Sequence, residues 1–216
     1  MVSRKGYSPK RRGTHQRQEK KVLLVAAEGN NKTEKNYFKQ FANDHVAVRF
    51  VRGNETDPVQ MANHLIEDCQ ELELSESDYA VCLVDSDFDL QKNAQLKCAD
   101  EQLIKANKKS KYTIQMIQSA PCFEIWYICH FSYTTRGYSK TGDVLRELEK
   151  SIPGYQKGQE DCFISLLKGK EQTAIKNARK LEQYCRENKK RPHHVEFMPS
   201  TEVYKIFEEF LMKCKR

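Results

Sequence analysis

The stretch "VLLVAAEGNNKTEKNYF", residues 22–38, sets the architecture. Its first residues are apolar on both faces, as in a parallel strand buried between two layers. The apolar run stops at Glu28 and Gly29, and Tyr37, Phe38 and Phe41 then recur at helical spacing. A buried strand that passes through an acid and a glycine into a helix reads as the opening of an α/β unit.

The same alternation continues outward from this stretch. "VAVRFV" (46–51), "YAVCLV" (79–84) and "YTIQMIQ" (112–118) are β-branched or fully apolar. Between them, "DPVQMANHLIEDCQEL" has an Asp-Pro helix start and places Met61, Leu65, Ile66, Cys69 and Leu72 on one face. "QLKCADEQLIKANKK" and "PCFEIWYICHF" are the next helical segments. Residues 22–131 are therefore expected to form an α/β domain with a mostly parallel, four-stranded sheet flanked by helices. Beyond the polar loop "SYTTRGYSKTGD" the patterns are helical only. They end in "PST", read as a stop and cap, followed by a stripe of Val203, Ile206, Phe207, Phe210, Leu211 and Cys214. Residues 132–216 are expected to be a helical extension packed on the sheet.

Charge singles out the N-terminus. Within residues 1–21 there are eight basic side chains (Arg4, Lys5, Lys10, Arg11, Arg12, Arg17, Lys20 and Lys21) and one acid, Glu19. This segment alone accounts for the chain's net charge of +7, so the body is neutral. It reads either as a flexible basic arm suited to counterion-releasing contact with nucleic-acid phosphates or as a solubilising tail. No apolar run is long enough to span a membrane, and the first residues lack a signal-peptide pattern, so a cytoplasmic protein is expected. The eight cysteines fall singly, several within apolar patterns, and read as reduced small hydrophobes.

The acids at the strand ends carry the chemistry. Ligands of open parallel sheets meet the carboxyl ends of the strands. Glu28 follows the first strand, and "DSDFD" puts Asp85, Asp87 and Asp89 after the third. If the extended geometry persists through Ser86, Asp85 and Asp87 point to the same side. Carboxylates gathered there call for a hard divalent cation, Mg²⁺ or Mn²⁺, able to polarise a phosphoryl oxygen and activate a water. Gly29 gives the backbone freedom to turn beside the ion. Taken singly, an acid-glycine pair or an aspartate-rich turn is ordinary loop chemistry. Glu124, in the first turn of its helix, lies near the same sheet edge, where an acid is also favourable electrostatically. His130 stands six residues on, so a regular helix turns it away from Glu124. It reads as a packed histidine beside Trp126 and Tyr127, with acid/base catalysis as the alternative. His193 and His194 read as surface residues.

Four motifs together resemble one family. "VAAEGNNKTEKNYF", "LVDSDFD", "SAPCFEIWYICHF" and "MPSTEVYKI" resemble, in order, the motifs of the Toprim-like RloB proteins. The first is one residue longer between "EG" and "TE" than the family pattern, which bears on Glu34. The resemblance implies a Toprim-like fold and a metal-dependent nuclease, with Glu28, Asp85, Asp87 and Glu124 as catalytic and metal-binding residues. Glu34, in the "TE" of the first motif, and His130, from the residue reading above, stand as further catalytic candidates. It also implies an RloA-like ATPase partner and a role in anti-phage defence by abortive infection. By analogy with ATPase-coupled Toprim effectors, the substrate is RNA, tRNA among the options, ahead of DNA. A homo-oligomer is compatible with this reading. The competing class is a non-catalytic nucleic-acid-binding or regulatory subunit, separated from the first by metal-dependent cleavage. A receiver-like phosphoacceptor is disfavoured because no acidic pair follows the first strand and no lysine closes a fifth.

Overall fold

Each of the four apolar runs forms a strand. In the computed structural model, which describes residues 19–29 and 32–215, these are β1 (Lys21–Ala27), β2 (Val46–Phe50), β3 (Tyr79–Asp85) and β4 (Thr113–Ala120). They pair in parallel, in the order β2-β1-β3-β4. The chain runs from β1 outward to β2 and then crosses back to β3 on the other side of β1. This places a topological switch point between β1 and β3, where an open α/β sheet offers a crevice at its carboxyl edge.

Helices cover both faces. α2 (Pro58–Glu71) and α3 (Lys92–Lys109) close one face, packing Met61, Leu65, Leu96 and Leu103 onto Leu24, Ala80, Cys82 and Val84. Asp57 caps α2 by accepting the backbone N–H groups of Val59 and Gln60, and Pro58 sits in its first turn, as the Asp-Pro signal predicts. The other face receives α1 (Lys32–Phe38), α4 (Glu124–Cys129), α5 (Thr141–Glu149), α6 (Glu171–Glu187) and the closing segment α7 (Tyr204–Ile206), which continues as a wider turn over Phe207–Leu211. Tyr37, Phe38, Phe123, Trp126 and Tyr127 meet Val144, Leu148, Ala178, Phe207 and Phe210 in one core. The C-terminal helices therefore share the core of the sheet. Seven of the eight cysteines are buried and all are free thiols; Cys98 is exposed.

Two details depart from the sequence expectation. The sheet has five strands, because Ser200–Thr201 form β5, antiparallel to β4. "PST" therefore does not cap the last helix, and α7 starts at Tyr204 with Val203 at its N-cap and no side-chain cap. The cause lies in β4, whose outer edge would otherwise present unpaired backbone groups. Glu202 N–H donates to the Gln118 carbonyl at 2.9 Å, its Oε2 accepts Gln118 N–H at 3.0 Å, and the Ser119 and Thr201 hydroxyls meet at 2.9 Å. A two-residue strand with this little apolar content leaves no period for sequence reading to detect.

Candidate active site

The carboxyl edge of the sheet collects the acids. Glu28 leaves β1 directly, and Gly29 follows at φ +52°, a left-handed conformation that glycine adopts freely. Its N–H donates to the Glu55 carbonyl at 2.6 Å, which fixes the turn before α1. Asp85 is the last residue of β3 and is buried, paired in register with Ser119 of β4. Glu34 projects from α1 and Glu124 from the first turn of α4, and both are buried.

Asp87 does not continue the strand. β3 ends at Asp85, and Asp87 stands at φ +49°, its N–H donating to the Pro121 carbonyl at 2.9 Å. The same-side convergence of Asp85 and Asp87 expected from strand periodicity is thus broken at Ser86. Lys92 restores the link by another route. Its ammonium, on the first residue of α3, donates to Glu28 Oε1 at 3.1 Å, to Asp87 Oδ2 at 2.5 Å and to the Asp85 carbonyl at 3.4 Å.

A second cation faces the buried acids. Lys157, in the loop after α5, reaches Glu124 Oε1 at 3.8 Å, and the Tyr155 hydroxyl donates to the same oxygen at 3.4 Å. Glu124 Oε2 is buried and has no hydrogen-bond partner. Five carboxylates therefore share this edge with two ammonium groups.

The electrostatic consequence is strong. Burial, together with the neighbouring Glu124 and Glu28 carboxylates, lifts the Glu34 carboxyl to about 7 against the pull of its own backbone hydrogen bond and of Lys157. Burial, then Glu34 and Glu124, lifts Asp85 well above the usual carboxylate range. Glu28 is raised by burial, with Lys92 opposing and Asp87 assisting.

All the ligand atoms on offer are hard oxygens, the donor set that suits Mg²⁺ or Mn²⁺. The buried, partnerless Oε2 of Glu124 fits such an ion too. Among the described residues, however, no group of three or more His, Cys, Asp or Glu side chains is already arranged to hold a metal. The residue set fits a divalent cation in kind, and its charge is divided between two lysines.

The remaining candidates lie elsewhere. His130 is enclosed by the rings of Tyr37, Trp126 and Tyr127. Its Nδ1 donates to the Trp126 carbonyl at 2.8 Å, which leaves Nε2 to accept from the Tyr37 hydroxyl at 3.3 Å. Burial lowers its pKa to about 4, and the charges that act on it are Glu171 and Lys170 rather than the acidic cluster. His193 joins an ion network with Asp100 and Glu202, and His194 approaches Glu196 at 3.6 Å. Of the basic segment, Arg4, Lys5, Lys10, Arg11, Arg12 and Arg17 lie outside the described residues. Lys20 donates to the Asn43 carbonyl at 2.7 Å, and Lys21 opens β1. A groove of about 570 Å³ between α2 and α3, lined by Ile66, Leu74, Lys105, Lys109 and Tyr112, contains none of the clustered acids. It flanks the start of β4, away from the carboxyl edge.

Sequence reasoning missed Lys92, Tyr155 and Lys157. Lys92 has a local signal, a lysine at a helix start just after an aspartate cluster. Tyr155 and Lys157 have none, because only folding brings their loop to α1 and α4.

The chain matches the model of a known family, described as RloB-like protein, over residues 23–210. The chain belongs to the RloB-like family. No curated protein matches it. The RloB-like match spans Glu28, Glu34, Asp85, Asp87, Glu124 and both lysines, whereas the basic residues at positions 4–21 precede it. The mixed α/β architecture of this RloB-like chain is compatible with a Toprim-like fold. Among the described residues no helix is long and apolar enough to cross a membrane.

Proposed function

We propose that this RloB-like protein is a metal-dependent nuclease that hydrolyses phosphodiester bonds, with RNA ahead of DNA as substrate. The observation that carries the reading is the buried acid cluster at the switch point of the sheet. Glu34 and Asp85 are held above their usual pKa there, and one Glu124 oxygen is buried without a partner. Burying acids this way costs stability, and such an arrangement is characteristic of functional sites. Glu28, Asp85, Asp87 and Glu124 would hold Mg²⁺ or Mn²⁺, which supplies Lewis acidity and an activated water when bound. Glu34, whose carboxyl burial raises above the usual range, stands beside them as the candidate general acid/base. Lys92 holds Glu28 and Asp87 in one orientation.

An RloA-like ATPase as partner, and a role as the effector of an ATPase-coupled anti-phage system, belong to the same proposal. The test is cleavage of labelled single-stranded RNA and DNA in Mn²⁺, with and without that ATPase, by wild type and by Asp85→Asn. Calorimetry of Mn²⁺ binding runs alongside. Metal-independent cleavage, or equal Mn²⁺ affinity in a folded Asp85→Asn variant, would remove the metal centre from the reading.

A second reading, a non-catalytic nucleic-acid-binding subunit, draws support from the lysines. Lys92 and Lys157 already supply positive charge at the acids, and among the described residues no chelating group is preformed. Binding without cleavage under every condition above would favour it.

A further inference from the structure

Lys157 differs from every other lysine near the acids in how it is held. Its loop is fastened to α1 through the backbone of one residue, Gly158. Gly158 N–H donates to Thr33 Oγ1 at 3.0 Å, and the Gly158 carbonyl accepts from Asn36 Nδ2 at 2.9 Å. Thr33 and Asn36 are both buried, so the anchor is part of the folded core rather than a surface contact. Gly158 sits at φ +80°, and a Cβ there would stand 3.1 Å from Lys32 Cβ. On the other side of Lys157, the Tyr155 ring packs edge-on against Tyr127 at 6.0 Å between centroids, and its hydroxyl reaches Glu124.

Both flanks of Lys157 are therefore fixed, while its ammonium is not. Among the described residues it has one ion pair, the 3.8 Å approach to Glu124 Oε1, and no hydrogen bond. Its side chain is 42% exposed, whereas the carboxylate it faces is fully buried. Lys92, by contrast, already spends its donors on three oxygens. A lysine ammonium has three donors and no acceptor. Lys157 thus presents free donors at the mouth of a cluster of acids, on a backbone placed by two buried side chains.

We propose that Lys157 is a phosphate-binding residue of this centre, holding a non-bridging oxygen of the phosphodiester against the carboxylates. This rests on reading the acidic cluster as a phosphodiester site. An ammonium carried on a fixed backbone and facing buried acids selects an anion that arrives together with, or is bridged by, positive charge. It thereby favours a nucleic-acid phosphate over a bare carboxylate ligand. The loop Gly154–Gly158 then acts as a specificity element contributed by the C-terminal region, and Thr33 and Asn36 are its positioning residues.

The test uses the full-length protein and a short fluorescein-labelled single-stranded phosphorothioate oligoribonucleotide in Ca²⁺. Binding is followed by anisotropy, and lysine accessibility by acylation read out by mass spectrometry. Bound oligonucleotide should abolish labelling at Lys157 and leave the exposed Lys97 unchanged. In Mn²⁺, Lys157→Ala should lose about 10²-fold in cleavage rate, and Lys157→Arg should regain most of it. Equal labelling of Lys157 in the free and bound protein would overturn the proposal, as would wild-type cleavage by Lys157→Ala or failure of the oligonucleotide to bind. Protection of Lys157 without any cleavage in Mn²⁺ would leave the phosphate contact standing and sink the nuclease reading instead.

Discussion

His193 offers a quantitative handle on how the C-terminal region is held to the sheet. Its Nδ1 lies 2.9 Å from Asp100 Oδ2 on α3, and its Nε2 lies 3.0 Å from Glu202 Oε2 beside β4. Burial pulls its pKa down, but hydrogen bonds to the two carboxylates prevail and hold it at about 9, against an ordinary 6.5. A histidine raised in this way contributes stability that is fully present below pH 6.5 and is lost as pH rises through 9. The difference corresponds to about 3 kcal/mol. The Glu202 carboxyl is pushed up by burial, yet His193 and Lys205 hold it at about 2. Much of that depression is the same His193 contact seen from the other partner, so the two shifts do not add. The side chain of His193 is only 21% exposed, so solvent screening removes little of the effect. Urea unfolding between pH 6 and pH 10 should show wild type losing roughly this amount progressively between the two values, from pH 6.5 to pH 9. His193→Asn, which tolerates the φ of +56° at this position, should unfold at markedly lower urea than wild type at pH 6 and approach it at pH 10. Parallel curves for the two proteins would refute the assignment of that stability to the imidazolium.

Three other outcomes follow from the site. Glu124→Gln should reduce cleavage by at least about 10²-fold. Its urea midpoint should stay close to that of wild type, because glutamine keeps the side-chain shape and an acceptor for the Tyr155 hydroxyl. Gly158→Ala should destabilise by about 1–2 kcal/mol, read by urea unfolding, because an L side chain is strained at φ +80° and meets Lys32. Deleting residues 2–18 should weaken nucleic-acid binding and flatten the plot of log affinity against log salt, while thermal unfolding of the remaining chain is unchanged.

The strands and most of the helices were legible in the sequence because their signals are local. The apolar run of β1, the Asp57-Pro58 start of α2 and the stripe from Val203 to Cys214 each follow from residues close in the chain. The acids were legible for the same reason, since Glu28 and Asp85 stand where buried strands end. Which of them meet was decided by tertiary structure. A positive φ at Asp87 turned that carboxylate out of strand register and onto Lys92, although an alternating reading aligned it with Asp85. Ser200 and Thr201 joined the sheet rather than capping a helix because the open edge of β4 needed partners, a demand that arises only once β4 is in place. Lys157 is the extreme case, with Thr33 and Asn36 more than a hundred residues away fastening its loop. Hydrophobic periodicity is a property of neighbouring residues and survives in the sequence. Charge placed opposite charge depends on chain crossings of long sequence separation, and for those contacts the fold itself is the information.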